Sequence, residues 1–482
     1  MKLSEILKNV DCRITGEDVE IKHLSIDSRN IRRGTFFICI SGFRVDGHEY
    51  IKDAIEQGAS AILVEKDVVG IPSDITVVQV ENSRYAMAFL AANFYDKPQD
   101  KINLVGVTGT NGKTSVSFYM KSVLMKWKKR TGIIGTVETK IDNAPVEIDF
   151  ATSTTPDTIE LMQIIKHMEN KQVDYLAMEV TSHALQLHKV EALNFDVAIF
   201  TNLTQDHLDL HGTMENYAQA KAKLFKQSKV SVINIDDEYG PYMESVATGE
   251  VLTYSIDRPS DLVATDINYR PDGVDFTAVI KGEVVRFSLP IAGKFSVYNA
   301  LGVIGAAVTL GIDVNTIKAA FSELKGVPGR IQRVENDKNL NVIVDYAHTP
   351  DGLSNIISSC RAFTKGRVIT VFGCGGDRDQ IKRPMMGRIA CELSDYTIIT
   401  SDNPRNEDPQ KILNEIEAGF TTRNYTKIED RAGAIKEAVR IMGELDTVII
   451  AGKGHENYQI FKDKTLSFDD VEVAKKVIGE RA

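Results

Sequence analysis

Short apolar runs, each closed by glycine, proline or charge, recur along the chain with helical patterns between them. Residues 35–40 and 61–64 predict strands, and residues 50–57 predict a short helix that stops at Gly58. Pro98 and Asp100 interrupt the pattern. Beyond them, residues 102–107 predict a strand that runs through a glycine-rich turn into an amphipathic helix at 115–124. Further strands are expected at 175–180, 197–202 and 230–235. A second break falls at 326–329, where Pro328 stands between two glycines. The alternation then restarts with strands expected at 341–345, 367–372, 396–400 and 447–451. Strands alternating with helices predict an α/β fold with mostly parallel sheets covered on both faces. At roughly 100–200 residues per domain, three domains are expected, at residues 1–98, 99–330 and 331–482. The longest apolar run, residues 300–312, is 13 residues even with Thr309 included. A bilayer needs roughly 20, so a buried helix is expected and membrane insertion is not.

Composition narrows the function. The chain is 43% apolar and 26% charged, as in ordinary globular proteins. Its 57 Lys and Arg against 67 Asp and Glu give a net charge of −10, which argues against non-specific nucleic-acid binding. The five cysteines (Cys12, Cys39, Cys360, Cys374, Cys391) form no CxxC pair and read as reduced thiols. Charges interrupt residues 1–13, so no secretory signal is expected there, and a cytoplasmic, monomeric protein is anticipated.

The clearest chemistry lies at residues 108–115, Thr-Gly-Thr-Asn-Gly-Lys-Thr-Ser. Gly109 and Gly112 let backbone N–H groups of Thr110, Asn111 and their neighbours converge on phosphate oxygens, and the following helix adds a favourable dipole. Lys113 is placed to reach the β/γ-phosphates and Thr114 to carry Mg²⁺. Val107 stands where the usual first glycine belongs, yet strand, loop and helix come in the required order, so ATP is the expected ligand. Glu179 and His207 close or follow neighbouring strands and are candidate metal ligands at the same sheet edge. His207 and His211 also have zinc-pair spacing, but no third ligand is placed to close such a site. Residues 373–376 suggest a dinucleotide turn, but Arg378 occupies the third glycine's place and excludes it. Thr155 followed by Pro156 predicts a helix start whose free N–H groups could hold a ligand oxygen together with Thr154.

Gly-Thr-Asn-Gly-Lys-Thr at 109–114, the Glu179 and His207 segments, Tyr-Asn-Ala at 298–300, Pro-Gly-Arg at 328–330 and Asp-Tyr-Ala-His-Thr-Pro at 345–350 together resemble the Mur ligases. These are ATP-dependent amide-forming enzymes of peptidoglycan synthesis. The resemblance covers nearly the whole chain, with the motifs in family order. It implies a three-domain architecture: an N-terminal UDP-binding domain, a central P-loop ATPase-like sheet and a C-terminal Rossmann-like domain that binds an amino acid. The match is to the branch adding the third residue of the muramyl peptide. Asp27-Ser28-Arg29 is similar to its uridine motif. Residues 374–379, Asp402-Asn403-Pro404-Arg405 and Gly452 to Glu456 are similar to its amino-acid site.

By the same resemblance, Asn299, Arg330 and Asp345 surround the nucleotide, joining Ser115 and the phosphate loop. Lys221 is carbamylated and ligates Mg²⁺ with Thr114, Glu179 and His207; Lys223 is the neighbouring alternative. Thr181 and Lys189 stand where relatives often have serine and arginine, and a lysine there supplies a point charge in place of a fork. The implied substrates are UDP-N-acetylmuramoyl-L-Ala-D-Glu, ATP and meso-diaminopimelate, joined through an acyl phosphate. Arg405 and Arg378 suit two carboxylates and Glu456 an ammonium, a set that fits a diamino dicarboxylate better than lysine. An L-lysine-adding ligase, a folylpolyglutamate synthetase-like enzyme and an ATP-binding protein without catalysis are the alternatives.

Overall fold

The computed structural model describes residues 1–42, 45–148, 154–270, 272–280 and 282–481. The chain builds three main sheets, in sequence order.

The first has five strands in the order Arg13–Thr15, Thr76–Gln79, Ala59–Val64, Thr35–Ile38, His23–Ser25. All neighbours pair parallel except the first two, which run antiparallel. Helix Ser83–Phe94 carries Ala86, Met87 and Leu90 into this sheet's core and Ala88, Ala91 and Ala92 into that of the central sheet. One amphipathic element is thereby buried on two faces and joins the two layers.

The second sheet has eleven strands. Its middle is parallel, in the order Glu250–Ser255, Ser228–Asn234, Phe195–Phe200, Asn103–Thr108, Tyr175–Glu179, Thr131–Ile134. The strands are almost entirely buried because helices Lys113–Lys126 and Lys294–Thr309 cover one face, and Thr158–Asn170 and Met214–Lys226 lie in the core on the other. The run at 300–312 is the buried helix expected, together with the turn that ends it. Leu262–Arg270, Gly273–Ile280 and Glu283–Leu289 extend the sheet, the last two pairings being antiparallel. This meander is absent from the parallel reading of the sequence. Its burial alternates along Gly273–Ile280, a period-two signal that was there to be read.

The third sheet orders Gln332–Arg333, Asn341–Asp345, Thr447–Ala451, Val368–Phe372, Tyr396–Ile399, Tyr425–Lys427, all parallel after the first pair. Its strands at 341–345 and 447–451 coincide with the expected ones, those expected at 367–372 and 396–400 differ only at their ends, and the short edge strands Gln332–Arg333 and Tyr425–Lys427 were not expected. A separate hairpin, Tyr458–Ile460 with Thr465–Ser467, lies outside it. Among the described residues no helix is long and apolar enough to cross a membrane, and all five cysteines are free.

Candidate functional site

Helix Lys113–Lys126 begins inside the glycine loop, two residues earlier than its apolar pattern indicates. Gly112, at φ 88°, occupies its N-cap in a left-handed conformation that glycine adopts without strain. A Cβ there would sit 2.6 Å from Asn299 Oδ1, so the loop packs directly on helix Lys294–Thr309. Lys113 Nζ donates to the carbonyls of Gly109 and Thr110 at 2.8 and 2.9 Å, and burial lowers its pKa.

Parallel pairing sets Glu179 against Val107, one strand over from the loop. The Glu179 carboxylate is buried, accepting from Thr114 Oγ1 at 3.1 Å and from the Thr136 N–H at 2.8 Å. Lys221, 1% exposed, projects from helix Met214–Lys226 and donates to the Gly109 carbonyl at 2.9 Å. Its ammonium lies 4.6 Å from the Tyr217 ring. Burial, helped by the nearby Lys113 charge, pushes its pKa well down. Lys223 is half-buried and faces Leu185 instead.

His207 adopts φ 52° at the N-cap of helix Leu208–His211, with its ring 4.8 Å from that of His183. Burial pushes it down to about 4, against the pull of Asp206, so the imidazole is neutral at pH 7. Among the described residues no three His, Cys, Asp or Glu side chains converge to hold a metal.

Asn111, Gly112, Ser115, Asn299, Arg330 and Asp345 share a cavity of about 550 Å³ between the central and third sheets. Arg330 Nη2 reaches Thr114 Oγ1 at 3.4 Å, while its guanidinium lies 4.6 Å from the Tyr346 ring. Asp345 holds the turn that presents this arginine: its carboxylate accepts the N–H groups of Ile331 and Ala347, each at 2.8 Å. Burial raises its pKa. Asp351, missed in the sequence, crosses the same gap and accepts from Asn111 Nδ2 at 2.8 Å and Thr204 Oγ1 at 3.1 Å.

The helix start expected at Thr155-Pro156 is corrected. The helix is Thr158–Asn170 with Asp157 at its N-cap. Thr155 is instead buried, donating Oγ1 to the Glu179 carbonyl at 2.9 Å and accepting the Thr181 N–H at 3.1 Å. Thr154 meets Thr136 hydroxyl to hydroxyl at 2.9 Å. Thr181 caps helix Ser182–Gln186, and Lys189 pairs with Asp157 at 2.9 Å. Ser28 lies in a single 3₁₀ turn capped by Asp27, whose carboxylate also binds Arg29.

At the carboxyl edge of the third sheet, Asp402 to Arg405 follow strand Tyr396–Ile399, and Gly452 follows strand Thr447–Ala451. Gly452 has φ 117°, and a Cβ on it would meet Asp402 Oδ2 at 2.5 Å. Glu456 and Asn403 are both engaged within the protein here. Glu456 accepts on Oε2 from the chain's own Lys453 ammonium at 3.0 Å and from Asn403 Nδ2 at 2.8 Å. Asn403 Oδ1 accepts from Lys453 Nζ at 3.1 Å and from the Ile460 N–H at 2.9 Å, so its amide is a connector within the protein. A buried lysine without partners is costly, and Lys453 meets that need by recruiting both side chains. Arg405 Nη1 donates to the Gly376 carbonyl at 2.9 Å; Arg378 is exposed and donates to the Asp377 carbonyl. The buried Arg383, also missed in the sequence, ties these loops together through Glu407 at 2.8 Å and the Gly375 carbonyl at 3.1 Å. Glu407 in turn accepts the Asp377 N–H at 2.6 Å.

Comparison with known proteins agrees with this geometry. Residues 107–307 match the family described as Mur ligase middle domain, and residues 329–454 that described as Mur ligase, glutamate ligase domain. Residues 20–95 match Mur ligase family, catalytic domain. The chain belongs to the Mur ligase family.

Two relatives of this Mur ligase are the UDP-N-acetylmuramoyl-L-alanyl-D-glutamate--2,6-diaminopimelate ligases of Clostridium botulinum and Clostridium tetani. Each is 46% identical, with 100% of both chains covered. A solved structure of a UDP-N-acetylmuramoyl-L-alanyl-D-glutamate--2,6-diaminopimelate ligase superposes with a TM-score of 0.72 at 30% identity, over 100% of this chain and 99% of that one.

Proposed function

We propose that this Mur ligase adds meso-diaminopimelate to UDP-N-acetylmuramoyl-L-alanyl-D-glutamate in the cytoplasm, using ATP. The observation that carries the reading is Arg330: it stands at the entry to the third sheet yet reaches Thr114 on the phosphate helix. The phosphate helix and the residues that lead into the third sheet therefore meet across one cavity. Residues 1–98, 99–330 and 331–482 would serve as the uridine, nucleotide and amino-acid units, with Ser28 in the first.

In the reaction, the terminal carboxylate of the muramyl dipeptide attacks the γ-phosphorus and ADP leaves. The amine then attacks the acyl phosphate, an amide bond forms and phosphate departs. The protein's share is positioning and charge stabilisation. Lys113 and Arg330 offset charge developing on the transferred group, and Asn299, Ser115 and the loop N–H groups orient the nucleotide. Thr154, Thr155, Thr181 and Lys189 line the approach of the acceptor carboxylate. Thr114 and Glu179 offer hard oxygen donors suited to Mg²⁺, which takes few protein ligands and leaves room for phosphate. Mg²⁺ supplies charge neutralisation at the phosphate oxygens when bound. His207 and Lys221 would be the further ligands, the latter as the carbamate formed when its neutral amine adds to CO₂ and gives up a proton to solvent. Arg405 and Arg378 receive the carboxylates of the amino acid, with Asp402, Pro404, Gly452 and Glu456 shaping the pocket.

Phosphate release that requires both the muramyl dipeptide and an amino acid is the expected behaviour. Release on ATP alone would contradict the proposal.

A further inference from the structure

The hairpin Tyr458–Ile460 and Thr465–Ser467 stands apart from the large sheets and packs against Asp402 to Arg405. Three hydrogen bonds join them. Gln459, 5% exposed, donates Nε2 to the Asp402 carbonyl at 2.7 Å. The Ile460 N–H donates to Asn403 Oδ1 at 2.9 Å, and the Arg405 N–H donates to the Ile460 carbonyl at 3.0 Å. Arg405 itself has φ 53°, a left-handed conformation that costs energy in any residue with a side chain. Such a conformation persists only where its surroundings over-determine it. Here they do: the hairpin holds the backbone on one side, and the Gly376 carbonyl holds the guanidinium on the other.

We propose that this hairpin is the brace that keeps Arg405 aimed for amino-acid selection, and that Gln459 is its positioning residue. The inference rests on the amino-acid pocket assigned above. Gln459 acts through backbone alone, since its amide is engaged with the Asp402 carbonyl. Removing that donor strands a buried carbonyl and frees the segment from which Arg405 projects.

The test uses the full-length enzyme and two variants, Gln459→Met, which removes the donor at similar volume, and Gln459→Glu, which keeps the shape. Both should raise KM for meso-diaminopimelate about tenfold, with little change in kcat or in KM for ATP and the muramyl dipeptide. Preference over L-lysine should fall in parallel, and the Arg405 amide should exchange faster with solvent. Unchanged amino-acid KM, or a loss shared equally by all three substrates, would overturn the brace. Should neither variant fold, amide exchange in the unmodified enzyme decides. Arg405 protection lost together with that of Phe461 in mild denaturant supports the brace, and protection outlasting the hairpin contradicts it. Absence of amino-acid-dependent turnover in the unmodified enzyme would instead remove the pocket reading itself.

Discussion

Lys221 Nζ lies 2.9 Å from the carbonyl oxygen of Gly109, the first glycine of the phosphate loop. A lysine on one helix is thus anchored against the loop carried by a different strand, in a site where burial disfavours its charge. That environment favours the neutral amine, the form that captures CO₂. Lys221→Ala should lower ligation about 10²–10³-fold. Formate or acetate should partly restore it by supplying the missing carboxylate, and Lys223→Ala should stay active. Steady-state rates with and without added carboxylate check this; full activity in Lys221→Ala contradicts it.

Lys113 is held by two carbonyls of its own loop, so its ammonium is already anchored there. Lys113→Ala should cut turnover about 10²–10³-fold while leaving the melting temperature close to unchanged. Initial rates read beside a thermal melt separate the two effects. Near-normal turnover would remove the phosphate-loop assignment.

Arg431 and Asp470 form a fully buried bidentate pair, at 2.7 Å through both Nε and Nη2. The same guanidinium donates to the carbonyls of Ser401, which lies between strand Tyr396–Ile399 and Asp402, and of Ala451, which ends the strand leading to Gly452. Removing one partner leaves a buried charge unmatched, so Asp470→Asn should destabilise the chain by about 3–5 kcal/mol. Urea unfolding measures this, and a loss below about 1 kcal/mol would show the pair to be dispensable.

His211 is buried, with Nε2 3.0 Å from Ser182 Oγ and its ring stacked on Tyr217 at 4.9 Å. Burial is the main cause that holds its pKa below the ordinary 6.5. Below that pH the unfolded chain takes up a proton that the folded chain resists. Stability from this residue is therefore present above 6.5 and is lost as pH falls toward the lowered folded-state value. Thermal melts between about pH 7.5 and 5 should show that decline, with a shallower slope in His211→Gln. An identical slope would rule out His211 as a contributor.

The nucleotide half of the site is legible in the sequence because its signal is local: turn, lysine and helix start lie within eight positions, 108–115. The sheet then brings Glu179 beside them by ordinary parallel pairing. The amino-acid half is legible only as motifs. Arg383, Arg431 and Gln459 read as commonplace helix or strand residues, and the burial of Lys453 within its motif is not visible, since a lone charge or amide in sequence usually faces water. Their burial depends on partners up to 57 residues away, as between Gln459 and Asp402. Thr155 misled for the opposite reason. Its Thr-Pro signal is a sound helix start, but the strand end at Glu179 captured the hydroxyl first. The antiparallel meander was lost to an alternating pattern set among parallel strands.

The most direct test is amino-acid choice. Meso-diaminopimelate carries one carboxylate more than lysine, and the two share every other group. On the roles proposed for Arg405 and Arg378, lysine would leave a guanidinium unmatched, and a site built for a polar group can reject the analogue lacking it by about 10⁴-fold. Measurement of kcat/KM for both amino acids, in the unmodified enzyme and in Arg405→Ala, decides the matter. The expected result is strong preference for meso-diaminopimelate, collapsing in the variant through a raised KM for the amino acid while KM for ATP holds. Comparable kcat/KM values for L-lysine and meso-diaminopimelate in the unmodified enzyme would contradict it.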